Sequence, residues 1–268
     1  MPAVHLSRLK KQINELIRSF TDPDRFCIEL YHLFEFYADL TYRPGYAVSP
    51  PALKPSYAPP VMLIRMLEEE LVPLAIQYPL AALNVVDQMW QAVYLEPRLL
   101  SVTILGNLPL QPAEEIEKRL LEWASPDLDP RLMAALFNQG SAIIRAQEPQ
   151  KWISFAENWL ESKNITINAM GLRALLPIIN PDHDDLVPTI FRLITPFLLT
   201  PRPEIQGESL LIIEALAKHT PAEAVFFLRQ MVALSTNPAT GQLARRAIHF
   251  FPEDRQDRLN QSLLELYK

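Results

Sequence analysis

The chain of 268 residues has one cysteine, Cys27, and six glycines. A lone cysteine excludes an intrachain disulfide and a thiolate metal cage, and on an apolar helix face it reads as a small core residue. Six glycines leave no Gly-rich phosphate loop, and no Gly-x-Ser-x-Gly nucleophile elbow is present. No apolar stretch approaches the roughly 18 residues of a membrane span. The N-terminus, MPAVHLSRLKKQINELIRSF, is too charged for a signal peptide and has no small-residue cleavage site. Basic charge is also short. The net charge is -6, and residues 61–130 hold four Lys/Arg against eleven Asp/Glu, so composition does not advertise nucleic acid or an anionic membrane. The five histidines form no H-E-x-x-H pattern, the acidic run Pro181-Asp182-His183-Asp184-Asp185 is explained by helix capping, and neither a metal site nor a cofactor is expected. The default is a soluble cytoplasmic protein.

Proline, by contrast, is abundant, at twenty-five residues. In a chain of long 3.6-period apolar runs the prolines are punctuation between helices. Leu6–Phe20 reads as one helix, closed by Thr21-Asp22-Pro23, and Arg25–Leu40 as a second, aromatic one. These form an N-terminal helical cap over residues 1–40. Residues 41–60, TYRPGYAVSPPALKPSYAPP, read as a Pro-rich loop. From there to 268 the signals repeat. Helix pairs open near Pro59, Glu96, Asp129, Asn164, Arg202 and Asn237, at intervals of about 33–38 residues. Second helices open near Pro79, Pro112, Pro149, Pro181, Pro221 and Pro252. Proline in the first turn loses no hydrogen bond, and Asp or Asn before it can cap. Pro73, Pro188 and Pro196 fall inside predicted helices and are expected to kink them. The period predicts an all-α, HEAT-like α-solenoid of about six helix pairs, continuous with the cap and curved around a concave face.

Met89-Trp90 followed by Glu96, Arg98, Ser101 and Leu105 resembles the HEAT-like DNA alkylation repair family, the AlkD-type DNA glycosylases. Pro59-Pro60 with Ile64-Arg65 is similar to that family's helix start, and Trp159-Leu160-Glu161-Ser162-Lys163-Asn164 to one of its joints. The likeness runs from about Ser56 to Arg258 and is sharp around Trp90–Arg98. It implies duplex DNA in the concave groove, with a Trp, an Asp four residues on and a later Arg stabilising the departing alkylated base. This chain departs from that trio. Alignment through Trp159–Asn164 puts Asp129 or Pro130, Met133 or Ala134, and Ala169 at the three positions. The same spacing occurs instead at Trp123 and Asp127, with Arg173 beyond, and these are the catalytic candidates. Arg131, Arg145, Trp152, Lys163, Arg245 and Arg246 are the nucleic-acid-binding candidates. Two functions follow. One is a non-catalytic repeat protein presenting its concave surface to a protein or nucleic-acid partner. The alternative is a DNA alkylation repair protein, a glycosylase or a damaged-DNA binder. The missing trio tilts the expectation away from an enzyme.

Overall fold

The computed structural model describes residues 5–39, 54–109 and 113–265. Every regular element among them is helical, so the chain is all-α. Its contacts separate into two compact units, Met1–Gln147 and Glu148–Lys268, a boundary that the sequence pattern does not mark. Most of the predicted Pro-rich loop, residues 41–53, and the predicted start at Pro112 lie outside the described residues.

In the first unit α1 (Leu6–Leu16) ends in a 3-10 turn, Ile17–Ser19, and α2 (Pro23–Tyr37) follows. Asp22 caps α2 by accepting from the Arg25 N–H, with Pro23 in the first turn. Then come α3 (Val61–Gln77), α4 (Pro79–Trp90), α5 (Leu95–Asn107), α6 (Ala113–Trp123), α7 (Pro130–Ala135) and α8 (Ala142–Gln147). One row of neighbours runs α1, α3, α5, α7, and α2 packs on α4. The apolar spacing explains the rows: Leu63, Leu67, Leu71 and Ala75, one per turn of α3, are all buried. Between α7 and α8 the helix widens into a π turn, Leu136–Gly140, closed by the Ser141 N–H on Leu136 O at 3.0 Å. The sequence pattern does not announce this turn.

The second unit holds α9 (Pro149–Leu160), α10 (Ile165–Leu175), α11 (Val187–Leu199), α12 (Gln206–His219), α13 (Pro221–Leu234), α14 (Pro238–Ala247) and α15 (Glu253–Glu265), with short 3-10 segments between several of them. Again there are two rows: α12 lies against α10 and α14, and α13 against α11 and α15. Asn164 and Asn237 cap α10 and α14 through their side chains. Thr220 does not cap α13. Its hydroxyl is directed back to Leu216 O, and Pro221 alone marks the start.

Of the three interior prolines, Pro73 and Pro196 lie inside α3 and α11, both on the exposed side. Pro188 does not. It occupies the first turn of α11, because the segment before it, Pro181–Leu186, is a 3-10 helix broken at His183. No intrahelical bond is lost there, so the expected kink is replaced by an ordinary helix start.

Candidate functional site

The strap Lys54–Pro60 has no regular structure, so its backbone groups need partners from elsewhere. Two buried carboxylates supply them. Glu96, in the first turn of α5, accepts from the Tyr57 and Ala58 N–H groups at 3.0 and 3.1 Å and from the Ser56 hydroxyl. Asp129, 1% exposed, accepts from the Lys54 N–H at 2.7 Å while capping α7. Tyr57 is sandwiched between Phe34 of α2 and Tyr94, with ring centroids 5.5 and 3.9 Å away. Burial by itself would raise the Asp129 pKa. The Arg131 hydrogen bond and the Lys54 and Arg131 backbone N–H groups outweigh it and hold the carboxyl below its ordinary value. Both acids read in the sequence as helix-start residues. Their grip on a strap up to 75 residues away has no local signal.

The motif Trp90–Arg98 folds into a joint. Trp90 stacks on Trp123 of α6, centroids 4.3 Å apart and planes within 7°. The Arg98 guanidinium lies 5.3 Å from the Trp90 ring, and its Nε donates to Ala92 O at 2.6 Å. Burial lowers the Arg98 pKa. Arg119 of α6 closes the same side with a two-point pair to Asp87 of α4.

The catalytic candidates stand in different surroundings. Trp123 is 7% exposed, its face covered by Trp90. Asp127 is exposed in the turn after α6, its N–H on Ser125 Oγ. Arg173 belongs to the second unit, where Glu208 holds it at 2.6 Å. The nucleic-acid candidates are mostly engaged as well. Arg131 pairs with Asp129 and donates to Lys54 O. Arg145 donates to Phe137 O and Asn138 O at 3.1 and 2.7 Å, satisfying carbonyls that the π turn releases, and burial lowers its pKa. Trp152 has no exposed surface and its Nε1–H is bonded to Ala174 O at 2.8 Å, so in this conformation it stacks on no ligand. Lys163, Arg245 and Arg246 are exposed, with Arg246 donating to Gln206 at 2.5 Å. No group of three or more His, Cys, Asp or Glu suited to a metal occurs among the described residues, and no described helix is long and apolar enough to cross a membrane.

What the structure does bring together is a set of side chains about 35 residues apart in the chain. Thr103 of α5 lies within hydrogen-bond distance of Glu68 on α3, 35 residues before it, and Gln139 in the π turn, 36 after it. Arg173–Glu208, Glu157–Arg192 and Asp184–His219 are each separated by 35 residues. These pairs tie alternate helices together, α3 to α5, α9 to α11 and α10 to α12. They were missed because neither partner of a pair lies in a local motif that points to the other. The separation itself was the available signal.

Comparison with known proteins returns no match to any family model, curated protein or solved structure. The likeness to the alkylation repair family therefore rests on the motifs alone.

Proposed function

We propose that this chain is a HEAT-like helical-repeat protein that acts by binding a protein partner rather than by catalysis. The observation carrying this reading is the state of the candidate residues. Trp123 is covered by Trp90, Arg173 is paired with Glu208, Arg131 with Asp129, and Arg145 with backbone carbonyls. A duplex-binding face draws much of its affinity from Lys and Arg that neutralise phosphates and release their counterions, whereas here Arg131, Arg145 and Arg173 serve the protein's own structure. The pairings 35 residues apart support stacked helix pairs, whose extended surfaces suit a macromolecular partner. The acidic surplus of residues 61–130 favours a protein partner over DNA.

Fluorescence anisotropy with a labelled duplex, with and without an abasic-site analogue, tests this across a salt titration. The expected result is no binding at low salt up to tens of micromolar protein, and no base release from an alkylated duplex. Micromolar, steeply salt-dependent binding weakened by Arg245→Ala/Arg246→Ala, or base release abolished by Asp127→Asn, would overturn it in favour of the repair function.

A further inference from the structure

A groove of about 400 Å³ opens between α1 and α3 in the first unit. Its apolar lining comes from Leu6 and Ile13 on α1 and Met62 and Met66 on α3. Leu6 and Met62 are 47% and 51% exposed, and Val61 beside Met62 is 67% exposed. Large apolar side chains gathered on one surface mark a contact site more often than scattered ones do. Methionine is the side chain that best adapts to varied apolar partners. The next turns of α3 add Glu69 and Glu70 to the lining, against a single cation, Lys10. Both glutamates are exposed, and they belong to the segment that holds the chain's acidic surplus.

Apolar wall and acidic end lie at helical spacing: Met62, Met66, Glu69 and Glu70 stand at positions i, i+4, i+7 and i+8 of one helix. A complementary surface has an apolar stripe over one or two turns and lysine or arginine on the turns that follow. We infer that this groove docks a basic amphipathic helix of a partner protein, its apolar side chains between α1 and α3 and its cations on Glu69 and Glu70. Two carboxylates against one lysine disfavour a polyanion such as a nucleic acid in this groove. The groove shares no residue with the candidates for DNA binding, so the duplex experiment and the one below fail independently.

The probe is a fluorescein-labelled 18-residue Leu/Lys amphipathic peptide, titrated by anisotropy at physiological salt beside its Leu/Glu counterpart. The Leu/Lys peptide should bind in the micromolar range, and the Leu/Glu peptide at least tenfold more weakly. Met62→Lys and the double substitution Glu69→Lys/Glu70→Lys should each weaken the Leu/Lys peptide about tenfold or more. Glu204→Lys/Glu223→Lys changes net charge equally on exposed sites of the second unit and should leave affinity unchanged. Since all these positions are exposed, circular dichroism should match the wild type. Absence of binding, or equal weakening by the remote pair, would overturn the proposal.

Discussion

Asp129 and Glu96 are the residues on which most rests for their size. Each is a carboxylate taken out of water, tolerated because backbone N–H groups meet its oxygens. For Asp129 the consequence is a pH dependence. Its pKa is lower in the folded chain than in the unfolded one, so its contribution is present above about pH 4 and is lost as pH falls through the folded value. Asp129→Asn keeps an acceptor for one N–H but loses the charge. It is expected to cost about 1–3 kcal/mol at pH 7, and to flatten the loss of melting temperature below about pH 4. Equal acid sensitivity in the two proteins would show that Asp129 does not set it. At the same scale, burial raises the Cys27 thiol to about 11, which fits its reading as a core residue rather than a nucleophile.

At the scale of the element, side chains tie the ends of neighbouring helices together. The joint between α9 and α10 shows how: the Asn168 amide donates to Trp159 O, Leu160 O and Ser162 O, at 3.1, 2.9 and 2.9 Å. Trp159 O and Leu160 O belong to the last turn of α9, whose carbonyls lack intrahelical partners, and Ser162 O lies just beyond it. Asn168→Ala should therefore cost about 1–3 kcal/mol in urea unfolding, while Asn164→Ala, which removes only an N-cap, should cost about 1 kcal/mol. A larger loss for Asn164→Ala would place the strength of the joint in the cap. Of this joint the sequence shows half. Asn164 before an apolar run is a start signal, but nothing local marks Asn168 as the clamp on the helix before it. The Pro188 start was similarly hidden, because a 3-10 segment of six residues is too short for its period to be told from that of an α-helix.

At the scale of the whole molecule, neighbour-to-neighbour packing predicts that damage stays local. Gly106 of α5 tests this. A Cβ there would stand 1.8 Å from Gln139 O, a backbone atom of the π turn, so the two elements would have to part. Gly106→Ala should cost at least about 3 kcal/mol. Hydrogen exchange should quicken in α5, α7 and the π turn and stay unchanged in α12–α15. Uniform acceleration across both units would instead show a single cooperative body. Gly207→Ala is the contrast: nothing lies within 4 Å of its Cβ position, and the gain in helix propensity should stabilise by about 0.5–1 kcal/mol.

The sequence by itself determined that the chain is helical and where many of its helices begin. Proline, Asp and Asn act on the first turn through bonds only two or three residues long, and the starts at Pro79, Asp129-Pro130, Pro149, Asn164, Pro221 and Asn237-Pro238 stand where those residues place them. The spacing of about 33–38 residues between such start signals was legible for the same reason. Only the tertiary structure decided what each candidate side chain does. Whether Trp123 is open or covered, whether Arg173 is available or paired, and whether Asp129 holds a distant strap depend on neighbours tens of residues away. Burial and pairing are properties of packed surfaces, and a local pattern carries no record of which surface it will meet.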